Sequence, residues 1–257
     1  KHMNLTQQKL EEEKELMNWI NADKSRLEKY GDIIEVQREI YNKLIPLKIA
    51  DIYFNETAIN GAEIVPFAGK FEKLVQIYNR KNVNQKAATE EIERLKPLAK
   101  QFFEAWDIDV DKQMFRNMIY LYYNNVDRAF VSDVMVESLK PFDGNVDKYT
   151  EYAFTNSILT KPDSIQAFLQ KVDSVSMKKF IADPLYKISL SYYEVYTRKV
   201  LNQTKKLESD QAKYYNLYMD AIATMNAGKL LPPDANRTQR LSYGKVTRAK
   251  PSDGLLY

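Results

Sequence analysis

The sequence predicts an all-α, multi-helix antiparallel domain that ends in a short extended segment. Three observations lead there. Apolar residues recur at three- and four-residue spacings along most of the chain, the period of a single helix face. Seven glycines in 257 residues are few for a β-rich or nucleotide-binding chain, and 28% charged against 44% hydrophobic residues suits solvated helices around a packed core. Pro232 and Pro233 then close the helical pattern, and Thr238, Leu241, Tyr243 and Val246 suit an extended strand-like segment.

The first helix starts near Asn4, whose side chain can cap it, and carries Leu5, Leu10, Leu16, Met17 and Ile20. Glu11, Glu12 and Glu13 give it a solvated face near its positive end. A short second helix from Asp23 stops at Gly31. From Asp32, the residues Ile33, Val36, Ile40, Leu44, Leu47, Ile52 and Ile59 carry a long helix to Gly61, with a kink expected at Pro46. Helices follow over 63–80, 86–106 and 110–125, and a less regular region passes through Phe142-Asp143-Gly144. Helical pattern resumes over 146–156 and 163–171. Asp183-Pro184 reads as the cap and first turn of the longest stretch, which reaches Asn226 before Gly228 stops it. Short loops imply antiparallel neighbours, and no fixed-period repeat suggests a solenoid.

The composition excludes several chemistries. With no cysteine there is no disulfide, thiolate metal site or cysteine nucleophile. The single histidine, His2, lies at the extreme end, so no Ser-His-Asp triad can be assembled within the chain and no catalytic residue is assigned here. No metal or other cofactor is expected. Asp107, Asp109 and Asp111 have the alternate spacing of a calcium loop, but Lys112 and Met118 stand where glycine and a bidentate glutamate are needed, so helix capping is the better reading. Lys plus Arg at 38 against Asp plus Glu at 35, interleaved, leaves no nucleic-acid footprint. No stretch approaches a membrane span, and the N-terminus lacks a signal-peptide layout. The opening Lys1-His2-Met3-Asn4 is read as that of an excised domain with any signal peptide upstream; a vector remnant around His2-Met3 is the alternative. Tyrosines cluster at Tyr120, Tyr122 and Tyr123, at Tyr192, Tyr193 and Tyr196, and at Tyr214, Tyr215 and Tyr218. Packing of helix faces with a wet edge is the expected role, a substrate-facing wall the other.

Residues 233–246, Pro-Asp-Ala-Asn-Arg-Thr-Gln-Arg-Leu-Ser-Tyr-Gly-Lys-Val, are the most specific string in the chain. They resemble the "PDAN-x-T-x-R-L-x-Y-G-x-V" junction of bacterial dipeptidyl-peptidases of the 7 and 11 type, serine exopeptidases with a chymotrypsin-like double barrel and an inserted helical domain. Pro233, Asp234, Ala235, Asn236, Thr238, Arg240, Leu241, Tyr243, Gly244 and Val246 fall at the family's spacing. The string departs from the pattern at Leu231-Pro232, which replaces an aromatic residue, and at the polar Arg237 and Gln239.

The resemblance implies that residues 1–230 are a helical lid or regulatory domain, and that 231–257 form a junction and strand leading back to a catalytic barrel outside this chain. It implies a parent that removes dipeptides from the free N-terminus of oligopeptides by acyl transfer to serine, in the periplasm or at the cell surface. A homodimer is possible on the same ground. Asp234, Asn236, Arg240, Tyr243 and Gly244 are the candidate structural junction, by their aptitude for turns, bridging and bends. A free-standing helical adaptor or a peptide-binding module remains the alternative.

Overall fold

The computed structural model describes residues 5–229 and 243–245, and every regular element among them is helical. In chain order these are α1 (Leu5–Asn21), α2 (Lys24–Tyr30), α3 (Ile33–Phe54) with a π segment, π1 (Asn55–Ile59), α4 (Ile64–Gly69), α5 (Glu72–Tyr78), α6 (Gln85–Ala105) and α7 (Ile108–Asn125). A 3-10 turn at Arg128–Phe130 precedes α8 (Asp133–Leu139), and another at Lys140–Phe142 precedes α9 (Val146–Asn156). Then come α10 (Pro162–Gln170), α11 (Ser174–Ile181), α12 (Pro184–Val195), a second π segment, π2 (Tyr196–Leu201), and α13 (Asn202–Met225).

Local chemistry explains the starts. Asn84, Asp107, Ser132, Asn145, Asp173 and Asp183 each accept backbone N–H groups of the first turn of α6, α7, α8, α9, α11 and α12, which satisfies donors that have no partner inside the helix. Pro184 follows its cap at the position where a missing N–H costs nothing. Asp143 and then Gly144 take left-handed backbone, with φ of 54° and 74°, and turn the chain into α9.

The described residues divide into two compact units. The larger runs from Tyr30 to Tyr218; the smaller takes in α1, α2 as far as Lys29, and α13 from Met219. In the smaller unit Leu16, Ile20 and Ala221 are buried, Lys29 pairs with Asp220 at 2.8 Å, and Arg26 lies over the Trp19 ring. The larger unit is organised around α12, where Leu185, Tyr186, Ile188, Tyr192 and Val195 are all buried. An aromatic chain crosses this core: Phe71 meets Phe180 at 5.0 Å, Phe180 stacks on Phe168 at 4.8 Å, and Tyr186 meets Phe180 at 4.7 Å. α3 runs antiparallel to the π2–α13 stretch. Asp51, Lys48, Tyr41 and Gln37 meet Tyr196, Glu208, Gln211 and Tyr214 in turn, so one number rises as the other falls.

The elements differ from the sequence reading in four places. The 63–80 helix is two helices, because the turn after Gly69 swings Phe71 into the core against Phe67 and Phe180. The irregular region holds α8, and α11 fills what was read as connection; each is seven or eight residues long, too short for periodicity to mark. The helix through Pro46 runs on to Phe54, and the last stretch read into it is the π segment π1. Ile52 and Ile59, grouped with the apolar residues that carry this helix, are 58% and 45% exposed. Asn4, His2 and the 230/231 domain boundary lie outside the described residues.

Candidate functional site

In the larger unit π2 lies against the end of α3, and π1 against the end of α12. Phe54, at the end of α3, stacks on Tyr196 with centroids 4.0 Å apart and rings 5° from parallel, while Tyr193 meets Phe54 edge-on at 5.4 Å. The Tyr193 hydroxyl donates to the Ala58 carbonyl at 3.0 Å, supplying a partner within a stretch whose helical ladder is displaced. The Tyr196 hydroxyl donates to Asp51 Oδ1 at 2.7 Å, and the same oxygen accepts Asn55 Nδ2 at 3.3 Å. Burial, reinforced by the Asp51 carboxylate, pushes the Tyr196 phenol up to about 12, so it stays a donor near neutral pH. Lys48 pairs with Glu208 one turn away. π segments recur at functional sites because the extra residue re-aims side chains. Around them lie the Asp51 carboxylate, the Asn55 amide and the phenols of Tyr193 and Tyr196.

A groove of about 450 Å³ opens at the foot of π1. Ile59, Pro66, Phe67, Leu98 and Phe102 give it an apolar lining, and Glu63 and Lys70 lie at its rim. Phe67 stacks on Phe102 at 3.9 Å. Gly61 is required in this wall, since a Cβ there would stand 2.6 Å from the Glu56 carbonyl oxygen and 2.9 Å from that of Thr57. The wall is pinned by Asp111, a buried carboxylate of α7 that accepts the N–H groups of Glu63 at 2.6 Å and Ile64 at 3.0 Å and the Trp106 indole N–H at 2.8 Å. Burial raises the Asp111 carboxyl above its ordinary value, and the three donors offset part of that rise.

Asp107, Asp109 and Asp111 do not converge. Asp107 caps its own helix, accepting from Asp109 and Val110, while Asp111 turns away to start α4. Among the described residues no group of three metal-ligating side chains comes together. Ser157 gives its hydroxyl to both oxygens of Asp183, and Ser132 to Ser191, while Ser189 Oγ is buried with no partner among the described residues. The chain's one histidine, His2, lies outside the described residues.

Of the junction residues, Asp234, Asn236 and Arg240 lie outside the described residues. Tyr243 is 95% exposed, and Gly244 has room for a Cβ with nothing within 4 Å. The structure therefore brings no partner to Tyr243 or Gly244 from the described residues. Within the tyrosine groups, Tyr122 and Tyr192 are core residues in edge contact at 4.9 Å, Tyr193 and Tyr196 build the π pair, and Tyr120 and Tyr215 face solvent. Sequence reading missed the π pair and the long-range cap by Asp111. The aromatic run Tyr192-Tyr193-x-x-Tyr196 falls within about 100° of arc on a helix, so its spacing gave no signal of either.

The whole chain, residues 1–257, matches the family model described as Peptidase S46. It is 23% identical to an Asp/Glu-specific dipeptidyl-peptidase of Flavobacterium psychrophilum over 230 residues, 89% of this chain and 31% of that protein. It is 25% identical to a dipeptidyl-peptidase 7 of Porphyromonas gingivalis over 256 residues, 96% of this chain and 33% of the relative. The chain thus spans about a third of the length of the curated relatives it matches. The crystal structure of Porphyromonas endodontalis DPP11 superposes with a TM-score of 0.73 at 17% identity, covering 99% of this chain and 35% of its own, and so shares the fold. From its first residue to its last, this helical chain belongs to the Peptidase S46 family.

Proposed function

We propose that this chain is the helical, substrate-gating domain of a serine dipeptidyl-peptidase that releases dipeptides from oligopeptides with a free N-terminus. The observation that carries the reading is the family match over the full chain, together with relatives named dipeptidyl-peptidases that are about three times as long. The catalytic triad lies outside these residues, in a barrel to which the 231–257 segment returns. Asp234, Asn236, Arg240, Tyr243 and Gly244 set the angle of that return. The helical part excludes longer or N-blocked substrates and orients the peptide, so that binding energy is converted into positioning. The setting is the periplasm or cell surface, and the parent's own barrel is the first partner. A homodimer belongs to the same proposal.

The test compares the parent with the isolated chain on dipeptide substrates carrying a fluorogenic leaving group. The parent should release dipeptides when the amine is free and lose that activity when it is acetylated; the 257-residue chain alone should release none. Equal turnover of free and acetylated substrates, or serine-inhibitor-sensitive activity of the chain alone, would overturn the reading.

A further inference from the structure

α3 is apolar on two sides. One seam, Ile40, Leu44, Leu47 and Phe54, is buried. A second, Ile45, Ile49, Ile52 and Ile59, keeps the same three-and-four rhythm but is exposed at 53%, 40%, 58% and 45%. Ile45, Ile49 and Ile52 each lie five residues after one of the first seam, about 140° round a helix of 3.6 residues per turn, and Ile59 follows at the end of π1. One neighbouring element cannot cover both. A helix with apolar residues on opposite sides has the pattern of a helix packed on both.

The second seam continues onto α7. Met114 and Leu121 are 39% and 40% exposed there, and Met118 Cγ lies 3.1 Å from the Cβ position of Gly61, which sets this part of α7 against the end of π1. Single exposed apolar residues need no explanation, whereas an ordered patch shared by two helices marks an interaction surface. Glu56 occupies the one remaining place in the rhythm, is exposed, and has no ion pair among the described residues.

We propose that this seam is the docking face for the rest of the parent polypeptide, through a surface that is apolar along its length and sets one basic side chain opposite Glu56. The inference rests on the reading of the chain as one domain of a longer peptidase. Two features select this occupant. Relatives carry about two further thirds of chain, which needs a covered face. A second copy fits less well: parallel self-pairing sets Glu56 against Glu56 without a cation, and antiparallel self-pairing about Ile52 sets it opposite Lys48, whose charge Glu208 already neutralises.

Because the chain contains no cysteine, a thiol introduced here is unique within it. Ile52→Cys and, as a second site should the first variant fail to fold, Ile49→Cys are made in the full-length parent and labelled with a bulky maleimide. Labelling is read by mass spectrometry on the peptide that bears the cysteine. A docked face should label at least about tenfold more slowly in native buffer than in urea. Native and urea rates within about threefold of each other, as the exposure here implies for an open face, would overturn the proposal. So would protection that disappears on dilution to the monomer, which identifies a second copy, or protection that needs added oligopeptide, which identifies substrate. Dipeptide release by the unmodified parent is measured alongside. Release with unprotected thiols overturns the docking face alone, and protected thiols without release overturn the peptidase reading alone.

Discussion

Asp183 satisfies four donors with one carboxylate: the Ser157 hydroxyl and the N–H groups of Ile158, Leu185 and Tyr186. It caps α12 and ties the start of that helix to the loop after α9, and it is only 5% exposed. Burial raises its carboxyl, and the hydrogen bonds work against the rise. Asp183→Ala should therefore cost about 2–4 kcal/mol, one cap plus buried donors left without acceptors. Denaturant unfolding checks this, with Asp183→Asn falling between the two. Glu91 is a different case. Burial pushes its carboxyl upward, but the bonds from Arg94 and Lys73 more than compensate and hold it below the ordinary range. A lowered carboxylate contributes stability that is complete above its unfolded value, about 4.3, and is lost as pH falls through the folded value. Asp111, raised by burial, acts with the opposite sign: its contribution is complete below the unfolded value and is lost as pH rises through the folded one. Unfolding measured over about pH 3–5 should show Glu91→Gln flattening the acid loss of stability and Asp111→Asn steepening it. At pH 7 Glu91→Gln should cost about 1–2 kcal/mol, held down because Lys73 and Arg94 remain solvated.

At the scale of elements, the π pair is held by two phenols reaching across from one helix to the other. Tyr193→Phe keeps the ring edge on Phe54 and removes the donor to Ala58. A loss of about 1 kcal/mol is expected, with faster amide exchange confined to Asn55–Ile59 and unchanged exchange in α6 and α10. An unchanged exchange pattern in π1 would show that the hydroxyl does not support it. The starts of helices were readable from the sequence, because a cap is a local event: Asp183-Pro184, Asp107 and the break after Tyr30 stand where the residues indicate. The π segments were not readable. Inserting one residue leaves apolar spacing within the tolerance of a helical pattern, and the groups that stabilise the insertion lie about 140 positions away, Tyr193 from Ala58 and Tyr196 from Asp51.

For the whole molecule, periodicity tells which residues are apolar on a face but not what covers that face. That is why Ile52 and Ile59, grouped with Ile40, Leu44 and Leu47 as the apolar residues of one helix, are exposed where the other three are buried. The candidate site was legible only in outline. The string at 233–246 pointed to the family that the full chain matches, while Asp51, Tyr196 and Asp111 acquire their partners through tertiary structure alone. The π segments bear also on how this chain can change in length. Each amounts to an α ladder with one residue to spare, so deleting one residue from Tyr196–Leu201 would restore regular hydrogen bonding and leave the helix continuous. Because the looser winding of a π segment already absorbs the extra residue, the helices on either side would keep nearly the same phase, with Glu208 near Lys48 and Gln211 near Tyr41. A residue deleted from the regular part of α13 would instead turn everything beyond it by about 100° and draw it back about 1.5 Å. The π segments are thus the places where this chain can lose a residue and keep the alignment of its long helices.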